Sequence, residues 1–249
     1  MTRLASNADK LPEPSADWCY FLDVDGTLTE IAGSPDAIEI SDRVLDVLGN
    51  LSITTGGALA LISGRPLNEL DRLFSPLMLP AVGQHGMEIR GPDGAVFHPS
   101  PMPPGYQIIL AQLRGYAEGI PGVVLEEKGF SLALHYRQAP GEAGNAKVAA
   151  TTALTGFHDS FQLLHGKMVL EIRPKAIDKG TAVHSLMEIG PYAGRRPVFA
   201  GDDTTDEDGF GAVNELNGLS IRVGRDSETC AQYRIDGVSH LLQWLARIN

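Results

Sequence analysis

The chain has 249 residues, 43% of them hydrophobic and 20% charged, enough apolar material for one long domain or a core with an insertion. A formal net charge of −11 sets it against nucleic acid, whose phosphates select basic faces, but leaves an anionic small molecule open, because a local field can oppose the global one. Two cysteines, Cys19 and Cys230, are too few for a disulfide framework and fit a reducing compartment, and the sequence has no apolar run of the roughly 18 residues a membrane span needs.

Residues 1–14, rich in Pro, Ser and charge and lacking the apolar stretch of a secretion signal, are expected to be a flexible tail on a cytoplasmic protein. A first strand is expected in WCYFL (18–22), which runs straight into Asp23-Val24-Asp25-Gly26-Thr27. Further apolar runs ending in small or polar residues are GALALISGRP (57–66), LPAVGQHG (79–86), RRPVFAGDDTTDE (195–207) and LSIRVGR (219–225). Helical patterns over 41–51 and 66–74 lie between them. Buried strands alternating with helices predict a doubly wound parallel sheet that binds ligands beyond the carboxyl ends of its strands. Asp23, Ser63 and Asp202 each close such a run.

The middle has a different grammar. After the Pro-rich PSPMPPG (99–105) come a helix over 106–120, a hairpin over 123–137, a helix over 144–157 and a hairpin over 161–174 turning at His165-Gly166. The expected class is therefore α/β: a core from 15–103 and 174–249, with an inserted α+β unit of order αββαββ over 104–173.

Asp23 offers a carboxylate that can ligate Mg²⁺ or attack phosphorus, and Asp25 can protonate a leaving oxygen and then deprotonate water. Gly26 permits a tight bend, although Asp-x-Asp-Gly is also an ordinary turn. The second acidic group, Asp202, Asp203, Asp206, Glu207 and Asp208, repels itself unless solvated or held by a cation. Counted from Thr204 it approaches an EF-hand loop, with Asp206, Asp208, Gly209 and Glu215 in place. A threonine as first ligand and a strand-like run ahead of it weigh against that loop. Ser63-Gly64-Arg65-Pro66 can cradle a phosphate at a helix start or simply cap the helix. Lys179 opens a helix behind Asp178, where a cation opposes the helix dipole unless phosphate or carboxylates stand close. His85 is expected to be structural.

DxDGT, SGR, DKG and GDDxTDE, in this order, resemble the motifs of the haloacid dehalogenase (HAD) superfamily of phosphohydrolases. GQHGMEIR, EEKGFSLALHYR, MVLEIRP and GDDTTDED are similar to segments of the trehalose-6-phosphate phosphatase family, over nearly all of residues 18–245. The resemblance implies a Rossmann-like core with a cap and a Mg²⁺ cofactor held by Asp23, the Asp25 backbone carbonyl and Asp202. It implies Asp23 as nucleophile and Asp25 as general acid/base, kept protonated by crowding carboxylates. Ser63 and Gly64 would bind the phosphoryl group, Lys179 would neutralise it, and Asp203 and Asp206 would support metal and lysine. Arg65 would reach toward the substrate. Glu126, Lys128, Arg137 and Glu171 would hold sugar hydroxyls, joined by Lys167 and His135. The implied substrate is trehalose 6-phosphate; a sucrose- or glucosylglycerate-type ester, or a catalytically silent sugar-phosphate binder, stays open. A monomer with no nucleic-acid or membrane partner is expected.

Overall fold

The computed structural model describes residues 11–31, 38–98, 102–224 and 228–248. Most of the expected tail, and residues 99–101 of the Pro-rich boundary, lie outside these. Of the tail, Leu11 packs on the apolar core and the Pro12 carbonyl accepts a hydrogen bond from Trp244 Nε1 at 2.8 Å. The chain divides into two compact units, residues 1–99 with 178–249 and residues 100–177.

In the first unit the elements are β1 (Trp18–Leu22), α1 (Asp42–Thr54), β2 (Leu59–Ile62), α2 (Leu67–Phe74), β3 (Ala81–Gly83), β4 (Glu88–Arg90) and β5 (Val96–Phe97). The second unit contributes α3 (Tyr106–Glu118), β6 (Val124–Lys128), β7 (Ser131–His135), α4 (Ala143–Ala153), β8 (Phe161–Gly166) and β9 (Val169–Pro174). The chain returns to the first unit with α5 (Lys179–Met187), β10 (Arg196–Gly201), α6 (Glu207–Glu215), β11 (Leu219–Val223), β12 (Tyr233–Ile235) and α7 (Val238–Leu245).

The first unit carries a sheet of order β12-β11-β10-β1-β2-β3-β4-β5. It is parallel from β12 to β3 and antiparallel through β4 and β5. Alternation along β1 decides the layering. Tyr20 and Leu22 join a cluster with Val44, Leu48 and Leu241, residues of α1 and α7. Cys19 and Phe21 join another with Ala182, Leu186 and Phe210, residues of α5 and α6. All four strand residues are fully buried, so both faces are covered, as a continuous apolar strand requires. Each such large side chain contributes about 1.5–3 kcal/mol of burial.

The second unit has a four-stranded antiparallel sheet of order β6-β7-β9-β8. Leu132, Leu134, Leu170 and Ile172 pack with Ile109, Leu113, Ala146 and Ala150 of α3 and α4. By the period of two, Ser131, Ala133, His135, Glu171 and Arg173 fall on the opposite face.

Candidate active site

The order of the large sheet reverses at β1, which lies between β10 and β2. In open α/β sheets the loops beyond such a switch point form the ligand crevice. The three loops here begin with Asp23, Ser63 and Asp202. Register brings the first and last together: Leu22 pairs with Ala200, whose carbonyl accepts the Asp23 amide at 3.0 Å.

Asp23 is 4% exposed and Lys179 2%. Lys179 Nζ donates to Asp23 Oδ1 at 2.7 Å and to Asp206 Oδ1 at 2.6 Å. It is the first residue of α5, whose Asp178 cap accepts from the Thr181 amide while Thr181 Oγ1 accepts from the Asp178 amide. The two carboxylates offset the clash of a cation with the helix start. Asp206 Oδ2 meanwhile accepts the amides of Asp202 and Asp203, each at 2.9 Å. One fully buried carboxylate thus ties the lysine to the loop after β10.

Asp23, Asp202 and Asp206 place carboxylate oxygens within 4.8 Å of one another. Burial pushes Asp23 up to about 7, with Lys179 opposing and the charges of Asp206 and Asp202 adding to the rise. Burial, then Asp206 and Asp203, pushes Asp202 up to about 6. Burial works to lower the Lys179 pKa, but Asp23 and Asp206 outweigh it and the lysine is held charged above its usual range. A hard divalent cation prefers such an all-oxygen donor set and would relieve the crowding.

Gly26 has φ +84°, and a Cβ there would come within 2.1 Å of Asp202 Oδ2. Thr27 Oγ1 donates to Asp202 Oδ1 at 3.3 Å, so the DGT turn holds the opposite loop. Asp25 is placed differently from its expected carboxylate crowd. Arg65 Nε donates to its Oδ2 at 2.8 Å and Nη2 to its Oδ1 at 2.9 Å, while Nη1 reaches Glu69 Oε2 at 3.1 Å. Arg65, expected to reach toward substrate, is turned onto Asp25 instead, because a planar fork matches both oxygens of a carboxylate. The crowding falls on Asp23 and Asp202.

Ser63 is 1% exposed, and its Oγ accepts from the Arg65 amide at 3.2 Å. It does not cap α2, whose N-cap is Pro66. Behind it, Gln84 (φ 49°) and His85 (φ 56°) adopt the left-handed conformation. The Gln84 amide donates to the Arg65 carbonyl at 3.0 Å and the His85 amide to the Ser63 carbonyl at 2.9 Å. A Cβ on Gly64 would lie 2.5 Å from His85 Nε2, so only glycine fits under the ring. The His85 ring sits against that glycine, and the strained pair has no signature in residue type. Two further supports were missed: Glu69, and Arg222, whose Nη1 donates to the Asp203 carbonyl at 2.8 Å. The EF-hand alternative fails, because Asp208 and Gly209 lie inside α6 and a strand precedes the acidic run.

In the second unit, register lines up Glu126, Ala133, Glu171 and Leu164 across the sheet. Glu126 Oε2 lies 2.9 Å from His135 Nε2 and 3.6 Å from Lys128 Nζ. Arg137 is exposed in the turn after β7, two residues beyond the strand's end, not within the hairpin. The second hairpin turns at Lys167-Met168, not His165-Gly166: Gly166 pairs with Val169 and Met168 takes φ 62°. Lys167 is therefore an exposed turn residue.

Residues 21–239 match the family model described as trehalose-phosphatase. The trehalose-6-phosphate phosphatase of Escherichia coli (strain K12) is 42% identical over 238 residues, spanning 95% of this chain and 88% of that protein. The solved trehalose-6-phosphate phosphatase of Aspergillus fumigatus superposes with TM-score 0.67 at 26% identity, covering 92% of each chain. A HAD-superfamily phosphatase from Bacteroides thetaiotaomicron shares the fold, with TM-score 0.64 at 15% identity over 92% of this chain and 93% of its own. Sequence match over most of the length and a common fold agree: the chain belongs to the trehalose-phosphatase family.

Proposed function

We propose that the chain is a Mg²⁺-dependent phosphatase that hydrolyses trehalose 6-phosphate to trehalose and phosphate, acting as a cytoplasmic monomer. The observation that carries this reading is Asp23, buried at the sheet's switch point against Lys179 and beside Asp202 and Asp206. Asp23, Asp202 and the backbone carbonyl of Asp25 would hold the cation, and their acceptor-only oxygens suit Mg²⁺. When bound, it supplies Lewis-acid stabilisation of the phosphoryl oxygens.

A carboxylate oxygen of Asp23 attacks phosphorus, the bond from phosphorus to the sugar oxygen breaks, and Asp25 gives that oxygen its proton. Asp25 then takes a proton from water, whose oxygen attacks the aspartyl-phosphate; phosphate leaves and Asp23 is restored. Lys179 and the Ser63–Gly64 segment stabilise charge on the transferred group, the largest share of catalysis in phosphoryl transfer. Asp206 keeps Lys179 and the Asp202 loop in place, with Asp203 in the same turn. The polar sheet face of the second unit, with Glu126, Lys128 and Glu171, supplies hydroxyl recognition, which lets a site reject esters lacking those hydroxyls. Arg137 and Lys167 contribute from the turns.

Phosphate release from trehalose 6-phosphate, sucrose 6-phosphate, a glucosylglycerate phosphate and glucose 6-phosphate tests this directly. Release is expected with Mg²⁺, greatest for trehalose 6-phosphate, and lost in EDTA. Preference for another ester overturns the substrate, and no release from any overturns the enzyme in favour of a silent binder.

A further inference from the structure

Arg173, next to the end of β9, is 7% exposed. Its Nε is buried and has no hydrogen-bond partner among the described residues. The ion pairs of this unit, Arg114–Glu127, Lys128–Glu126 and His135–Glu126, leave it out. Buried polar groups are nearly always satisfied, and a buried guanidinium short of acceptors is costly, so this one calls for an explanation.

Its place in the sheet suggests what it awaits. Leu170 and Ile172 point into the apolar cluster, which puts Glu171 and Arg173 on the face away from the helices. One rung there is Glu126, Ala133 and Glu171, two carboxylates with a single methyl between them. Two residues along, the next rung holds Lys128 paired with Ser131. Arg173, one step beyond the Leu132–Ile172 pair and opposite Gln162, extends that second rung. An acceptor rung and a donor rung therefore lie side by side, roughly 7 Å apart at the rise of a strand. Hydroxyls both donate and accept, so a ring bearing several of them can satisfy both rungs together.

We propose that Arg173 is a specificity-determining residue that donates hydrogen bonds to hydroxyl oxygens of the sugar. This rests on the phosphatase reading above, in which the phosphoryl group already has Lys179 and Ser63 as partners. The ligand completes the coordination that the fold leaves open at Nε.

The test compares wild type with Arg173→Ala, Arg173→Gln and Arg173→Lys, using kcat/KM on trehalose 6-phosphate and on p-nitrophenyl phosphate, an ester without sugar hydroxyls. The preference for the sugar ester is expected to fall on the order of 10- to 100-fold in the Ala and Gln variants, with partial recovery in Lys. Inhibition of p-nitrophenyl phosphate hydrolysis by added trehalose should weaken in parallel. Thermal unfolding confirms which variants fold, and Gln, closest in shape among the uncharged ones, carries the test if Ala does not. A preference unchanged in folded variants overturns the assignment, as does an equal loss on both substrates, which would mark a phosphate contact or a structural role. A wild type that turns over p-nitrophenyl phosphate but not trehalose 6-phosphate overturns the substrate reading instead.

Discussion

At the scale of single residues, charge placement decides the chemistry. Asp23→Asn should abolish turnover while the protein stays folded, since Lys179 keeps Asp206; phosphate release together with thermal unfolding checks both halves. Lys179→Met is expected to act differently. It leaves Asp23 and Asp206 buried without their shared cation, and breaking a buried pair on one side costs about 3–5 kcal/mol. Urea unfolding in EDTA measures that loss, and a change within 1 kcal/mol would show that the lysine is not holding the two carboxylates. Gly26→Ala meets two penalties, a left-handed backbone and a methyl driven onto Asp202. Its activity should fall at least about tenfold, the cost of misplacing a catalytic group, in an Mg²⁺-saturated assay.

At the scale of elements, the parallel strands were legible because β1 and β2 are apolar over their whole length and β10 carries the apolar run Pro197-Val198-Phe199-Ala200, a pattern produced by helices on both faces. Three of the four motifs could be read because each sits where such a strand ends, while DKG opens α5. The short antiparallel strand β5 could not, since Val96 and Phe97 are exposed and carry no burial pattern. The second hairpin's turn was misplaced by two residues because Gly166 looked like the turn former, whereas Met168 took the positive φ that glycine usually supplies. The Arg65–Asp25 fork was hidden for another reason: 40 residues separate the partners, and no local pattern reports such a contact. The helix carrying Lys179 was legible through Asp178. Asp178→Ala removes one side of the reciprocal cap on α5 and should cost about 1 kcal/mol by denaturant unfolding.

At the scale of the whole molecule, the acidic cluster links stability, pH and cation. Asp23 lies near 7 when folded, above its ordinary 3.8, so the folded state binds the proton more tightly than the unfolded chain. Stability from this group is present at low pH and is lost as pH rises toward 7. A cation that replaces the proton reverses that loss. Mg²⁺ is therefore expected to raise the unfolding temperature more at pH 7.5 than at pH 5.5, each against EDTA, and Asp23→Asn should flatten the difference. An equal shift at both pH values would separate cation binding from this carboxylate. No helix among the described residues is long and apolar enough to cross a membrane.

The fork between Arg65 and Asp25 adds a toll to the proposed cycle. A group gripped through both oxygens cannot face a departing alcohol until it swings free. Part of each turnover then goes to undoing a contact before any bond to phosphorus changes, and Glu69, which braces the guanidinium from the first turn of α2, helps govern how readily that release occurs.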